Sequence, residues 1–456
     1  VARHEVLLSR VEFRGAVPSQ VVDRSRTISL ERVDLSAEPE GRREAALADL
    51  LRRRSNTPML LTEGPLVQFA LVDLGPDDQV FFFMPHHIVW DGASLEIFLR
   101  ELDVLYEAFS RGEPSPLDPL PLQYADFAAW HEEWVTSPAL DQAKREWRER
   151  LSGGVPALDL PSDRPRPARM TYSGQTAWWR LDAAEVEALS AIGREIGATL
   201  YMVLLAGYVA VLHRYTQHRE IFVGTPVRGR SWRRTHKLIG MFVNTLVLRL
   251  GVDPERSFVE LLRDVKRVCE AAFDSPDMPL DVLVRELDLP RDPSRSPLAQ
   301  AFFSFRDVRD VAPRLLGVPA TEIPLHSDFE TQDLTLWATQ TNDGIVGVLS
   351  FATDLFDRET MEALLDHYRR LLGGAARDPR ALVGEIPMVG EDELRRIDAW
   401  NDTRVPFPHD ACVHTLIEAQ ARRTPEARAI MTLTGGEVTA ITYRELEDRT
   451  NRLARH

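Results

Sequence analysis

The segment Pro85-His86-His87-Ile88-Val89-Trp90-Asp91-Gly92 sets two imidazoles and a carboxylate side by side. An imidazole titrates near pH ~6.5, so a histidine here can accept and return a proton at neutral pH. Adjacent residues on extended chain point to opposite sides, so His86 and His87 cannot share one task. One must face a cleft and the other packing. Asp91 followed by Gly92 is a turn or helix N-cap signal, which gives Asp91 an architectural role even beside reactive histidines. A metal centre needs more ligands than two histidines pointing apart and one aspartate. No cysteine or further histidine cluster completes such a set. On these residues alone, proton transfer and plain packing both remain open for the histidine pair.

The elements around this segment place it at a strand-to-helix junction. Gln79–Met84 is an apolar run bounded by Asp77-Asp78 and Pro85, short enough for a buried strand. Leu95, Phe98, Leu99, Leu102, Leu105, Tyr106 and Phe109 recur at helical spacing until Gly112. Such junctions present side chains at a sheet edge and aim backbone N–H groups outward. Helices are expected at Asp126–Trp134 and Leu140–Leu151. Residues 153–167, rich in Pro and Gly, read as an extended connector between two lobes. Beyond it, Thr176–Leu181 reads as a strand, and Asp182-x-x-Glu185 is a capping box opening a helix to about Ile196. A very apolar helix follows at Leu200–Tyr215. Strands are expected at Glu220–Gly224, Phe242–Leu250 and Gly344–Phe351, with a helix at Arg358–Leu372. Pro387, Pro406 and Pro408 mark a later join around the charged run Glu391–Asp398. The pattern predicts α/β layers in two lobes.

The whole chain bounds these readings. With 456 residues, two or three globular units are expected. Hydrophobic residues make up 44% and charged residues 27%, a globular composition that excludes fibrous, disordered and integral membrane classes. The net charge of −15 offers no basic field for nucleic acid or an anionic membrane. Cys269 and Cys412 cannot form a disulfide framework and fit a reducing cytoplasm. The opening Val1-Ala2-Arg3-His4 lacks a Met, as a segment from within a longer protein would.

His86-His87-Ile88-Val89-Trp90-Asp91-Gly92 resembles the His-His-x-x-x-Asp-Gly motif of condensation domains of nonribosomal peptide synthetases. Trp90 stands where that family mostly has a small residue. Other segments resemble the family's motifs in the same order. Arg3-His4-Glu5-Val6-Leu7-Leu8-Ser9 resembles Arg-His-Glu-x-Leu-Arg-Thr, departing at Leu8. Tyr124-Ala125-Asp126-Phe127-Ala128-Ala129-Trp130 matches Tyr-x-Asp-Phe-Ala-x-Trp. Gly240-Met241-Phe242-Val243-Asn244-Thr245 matches Gly-x-Phe-Val-Asn-Thr. Pro276–Asp281 is a loose version of Gln-Asp-x-Pro-Phe-Glu. Arg291–Leu298 resembles Arg-Asp-x-Ser-Arg-Asn-Pro-Leu except at Ser296. The likeness covers about residues 1–390. Cys412–Gln420 and Ile441–Leu446 are similar to the opening of an adenylation domain.

The resemblance implies an α/β fold (α+β, two-layer) of two chloramphenicol-acetyltransferase-like lobes, a V-shaped pseudo-dimer with a central tunnel. The implied boundaries are an N-terminal lobe over 1–155, truncated at its start, and a C-terminal lobe over 156–390. A linker over 391–410 and an adenylation fragment over 411–456 complete the chain. The implied activity is amide synthesis between two thioesters carried on phosphopantetheine arms. The partners are donor and acceptor carrier domains and the adjoining adenylation domain, with no nucleic acid or membrane. No cofactor or metal is bound directly. The site is His87, facing the cleft as general base or positioning group, with His86, Asp91 and Gly92 completing the motif. Arg230, from Gly224-Thr225-Pro226-Val227-Arg228-Gly229-Arg230, is implied to hold Asp91. Asn244 supports the site through a core hydrogen bond. Tyr124 and Trp130 are expected in packing, and Trp90 in packing or at a tunnel mouth. The rivals are an epimerization domain, which shares the histidine motif, and a condensation-like docking platform without catalysis. A heterocyclization domain is disfavoured because an Asp-rich motif replaces its histidines. An acyltransferase using coenzyme A is disfavoured by the adenylation-like end.

Overall fold

A hairpin of β1 (Ser9–Arg14) and β2 (Val17–Val22) opens the chain, preceded by a 3-10 turn at Glu5–Leu8. A three-stranded sheet follows. In it β3 (Leu30–Asp34) runs parallel to β4 (Val67–Gly75), and β4 runs antiparallel to β5 (Asp78–Pro85). The strands form because their apolar residues serve two faces. Ala70, Val72, Leu74 and Phe82 pack on Leu47 and Leu51 of α1 (Glu40–Ser55). On the other face, Phe69, Phe81 and Phe83 meet Phe98 of α2 (Gly92–Ser110), with ring centroids 5.6–6.4 Å apart. Two further helices, α3 (Tyr124–Val135) and α4 (Ala139–Arg150), lead into the connector. This computed structural model describes residues 1–289, 292–309, 314–323, 328–434 and 437–456.

The second sheet has six strands in the order β6-β13-β12-β9-β7-β8. They are β6 (Gly174–Asp182), β7 (Glu220–Val227), β8 (Asn244–Gly251), β9 (Ala301–Asp307), β12 (Leu334–Thr341) and β13 (Gly344–Ala352). β9 runs parallel to both its neighbours, and the other pairings are antiparallel. A short hairpin, β10 (Arg314–Leu315) and β11 (Val318–Pro319), leaves this sheet, and Leu316 N–H donates to Asp103 on α2.

The sheet's helical layer is α5 (Ala183–Ile196), α6 (Leu200–Thr216), α7 (Phe258–Phe273) and α9 (Arg358–Arg377), with α8 (Leu280–Glu286) beside β8. Asp182 accepts from Glu185 N–H at 2.8 Å and Glu185 accepts from Asp182 N–H at 2.9 Å, the reciprocal cap that starts α5. Every residue from Met202 to His213 is buried, so α6 is apolar all round because it lies inside the lobe. Gly207 lets α6 approach α9, since a Cβ there would enter the Leu372 side chain. Among the described residues, no single helix is long and apolar enough to cross a membrane.

Val1–Gly390 forms one compact unit and Glu391–His456 another. The smaller unit contains α10 (Glu391–Asn401), α11 (Val413–Arg423), the hairpin β14 (Arg428–Thr434) and β15 (Glu437–Thr442), and α12 (Tyr443–Ala454). Residues 391–410, expected as a linker, therefore start as a helix, and regular structure is missing only from 402–410. The charged run read as a join has Glu and Asp in its first turn, where the helix dipole favours them.

Candidate functional site

β5 delivers the histidine pair to the mouth of α2. His86 N–H donates to Leu66 O at 2.8 Å, which ties the end of β5 to the residue before β4. The His86 ring turns back on its own chain, and its Nδ1 accepts from Ile88 N–H at 3.1 Å. Burial lowers the His86 pKa below its ordinary value, and the neighbouring His87 adds to the effect. His86 is thus held neutral and engaged. A 3-10 turn over His87–Val89 swings the next side chain away, and His87 is exposed. Its ring has no hydrogen-bond partner among the described residues. Trp90 is buried against Phe83 and Phe98, with centroids 5.9 and 5.5 Å apart, so it packs rather than lining a mouth.

Asp91 closes the turn and caps α2. Ser94 N–H donates to Asp91 Oδ1 at 2.8 Å, and the Ser94 hydroxyl donates to the same oxygen at 2.7 Å. Gly92 begins the helix in open space. The second lobe supplies the remaining donors. Arg230 Nη2 reaches Asp91 Oδ1 at 2.8 Å, and Phe242 N–H reaches Asp91 Oδ2 at 3.0 Å. Asp91 and Arg230 side chains are only 2% and 6% exposed, and a buried carboxylate persists only with such partners. Arg230 Nη1 also donates to Thr235 O and Leu238 O, at 2.8 and 2.7 Å, and its guanidinium lies 4.1 Å from the Phe242 ring centroid.

Arg230 and Phe242 belong to the loop between β7 and β8, residues 228–243. Gly240 N–H donates to Ser94 Oγ at 3.1 Å, and Tyr124 OH donates to Met241 O at 2.8 Å. Burial pushes the Tyr124 phenol up to about 12, with the Asp91 charge adding to it, so Tyr124 stays a protonated donor. Phe242, expected as the first residue of a strand, lies in the loop because Asp91 takes its N–H. Asn244 begins β8 and donates through Nδ2 to Pro276 O and Met278 O, at 2.8 and 2.6 Å. A cavity of about 1010 Å³ lies below the loop, lined by Trp130, Trp134, Trp232, Phe242 and Asn244 among others. His87 is not part of its lining.

Asp91, Arg230 and the His86–His87 turn are therefore brought together, while Asn244 braces the loop from β8. Ser94, Glu101 and His4 also belong to this lobe junction and had no role assigned from sequence. Ser94 was legible as the third residue after a capping aspartate. Among the described residues, no group of three His, Cys, Asp or Glu is placed to hold a metal. Arg291, the first residue of the quoted Arg291–Leu298 segment, lies outside the described residues. An exposed imidazole on a turn fixed from both lobes can take up or release one proton and can orient an amine.

The condensation-domain family model matches residues 1–397. The chain is 35% identical to tyrocidine synthase 3 of Brevibacillus parabrevis over 99% of this chain and 7% of that protein. It is also 35% identical to phosphinothricin tripeptide synthetase PhsC of Streptomyces viridochromogenes, over 100% of this chain and 42% of that protein. The chain thus spans less than half the length of these curated relatives. Among solved structures, the X-domain from teicoplanin biosynthesis matches with a TM-score of 0.77 and 26% identity, over 85% of this chain and 87% of that one. With its histidine turn locked at a two-lobe junction and a family model spanning both lobes, the chain belongs to the condensation-domain family of nonribosomal peptide synthetases.

Proposed function

We propose that the chain joins a donor acyl or peptidyl thioester to the α-amine of an acceptor aminoacyl thioester. Both substrates arrive on the phosphopantetheine arms of partner carrier domains. The amine nitrogen attacks the donor carbonyl carbon, the C–N bond forms and the carbonyl oxygen becomes an oxyanion. Collapse breaks the C–S bond, and the amine's proton ends on the departing thiolate. His87 is assigned the amine: it orients the nitrogen and relays that proton. Asp91 is assigned no proton. It holds the turn, and Arg230 holds Asp91. The observation that carries this reading is the exposed His87 ring on a turn held by the His86 ring, Asp91 and Arg230.

Residues 411–456 are proposed as the opening of an adenylation domain, which makes that domain a covalent neighbour. The reaction is proposed for the cytoplasm, a compartment that keeps thiols such as Cys269 and Cys412 reduced. The test is a coupling assay with loaded donor and acceptor carrier domains. Wild-type protein should release an amide product on the acceptor arm. His87→Ala should lower kcat by about 10²-fold or more with an unchanged melting temperature, because the ring is exposed. No amide from wild type refutes the function. Full turnover by His87→Ala refutes only the residue's role.

A further inference from the structure

We infer that His4 is a positioning residue for the condensation reaction, fixing the loop 228–243 through an unprotonated Nδ1; this rests on the function proposed above. His4 is 4% exposed and lies just before the 3-10 turn Glu5–Leu8. Its ring bridges the loop 228–243 and α2. Ile239 N–H, on the loop, donates to His4 Nδ1 at 3.2 Å. An amide can only donate, so Nδ1 carries no proton and the ring proton sits on Nε2. That nitrogen is 2.8 Å from Glu101 Oε2 on α2 and donates to it. Arg3 Nε donates to the other oxygen of Glu101 at 3.0 Å.

Ile239, Gly240 and Phe242 donate their amides to His4, Ser94 and Asp91 in turn. The latter two acceptors form the α2 cap itself. His4 is the acceptor outside the cap, and its Nδ1 bond to Ile239 is what holds the loop, while its Nε2 bond to Glu101 orients the ring beside the middle of α2. Phe242 N–H is the partner of Asp91 Oδ2, so a loop released at Ile239 shifts Asp91 and the turn that carries His87. A displacement of about 1 Å in a reacting group costs on the order of 10²-fold in rate. His4 touches neither substrate, so its effect must pass through the loop.

Two substitutions separate its two bonds. The Oδ1 of an asparagine falls where Nδ1 stands and can accept from Ile239, whereas the amide nitrogen of a glutamine falls where Nε2 stands and reaches only Glu101. In the carrier-domain coupling assay, His4→Gln should lower kcat at least about tenfold with KM for both loaded carriers unchanged. His4→Asn should restore kcat to within about threefold of wild type. A merely structural histidine would make turnover follow melting temperature in both variants alike. Hydrogen exchange gives a readout apart from activity: residues 239–242 should be protected in wild type and His4→Asn and exchange faster in His4→Gln. Wild-type turnover in His4→Gln, or equal loss in both variants, overturns the inference. So does an Ile239 amide that exchanges freely in wild type, a measurement that needs no variant to fold. Absence of any amide product from wild type strikes the function and leaves the exchange result to judge the loop.

Discussion

Asp91 collects four hydrogen bonds from two lobes, and its removal would strand Arg230, whose side chain is only 6% exposed. An ion left buried without its partner costs far more than the pair contributes when intact. Asp91→Ala should therefore lower unfolding free energy by about 3–5 kcal/mol, measured by urea denaturation. A loss below about 1 kcal/mol would mean that water or a neighbouring acceptor takes over the guanidinium. Turnover should fall with it although His87 itself is untouched. At this scale the histidine pair and the capping aspartate were legible, because reactive groups and caps are written in short spacings. His4 stands in the Arg3-His4-Glu5 segment, which by itself names no partner for its ring. Its partners Glu101 and Ile239 lie 97 and 235 residues away, beyond any local pattern.

The element that decides the geometry is the loop 228–243, which carries no helix longer than one 3-10 turn at Arg233–Lys237. Gly229 makes its entry, with φ of +57° and a position where any Cβ would drive into the Phe242 carbonyl. Gly229→Ala meets both penalties. A non-glycine residue in the left-handed region costs about 1–3 kcal/mol before the clash is counted. The variant should lose at least about 2 kcal/mol in the same denaturation experiment and turn over more slowly. A neutral result would mean that the loop has room to move away from Asp91. Regular elements were easier to read than this loop. α5 showed its capping box and α6 its unbroken apolar run. α7 carries an equally plain signature, the capping box Ser257-x-x-Glu260 with an apolar stripe of Phe258, Leu261, Leu262, Val265 and Cys269. The run Glu391–Asp398 looked like a linker because its charge is high and its prolines are near, yet helix propensity and first-turn acids carried it to Asn401.

Across the whole first unit, the lobes are joined by polar bonds buried among apolar side chains, which makes the junction sensitive to acid. Burial alone would raise the Glu101 pKa, but hydrogen bonds from His4 and Arg3 and the charge of the Arg3 guanidinium overcome it and hold the carboxyl below its ordinary value. A carboxylate depressed in the folded state contributes stability above its unfolded pKa of about 4.3, and that contribution is lost as pH falls through the lower folded value. Melting temperature plotted against pH should therefore drop more steeply in wild type than in Glu101→Gln below about pH 4.3. Parallel curves would show that Glu101 does not couple folding to protons. The sequence by itself determined the α/β layering, the helix caps and the identity of the residues able to do chemistry, because periodicity and capping act over a few neighbouring positions. Only the tertiary structure decided which histidine is free, what holds Asp91 and how His4 reaches the loop. Those outcomes depend on buried polar groups finding partners far along the chain, and the cost of leaving such a group unpaired is settled only when the lobes close on each other.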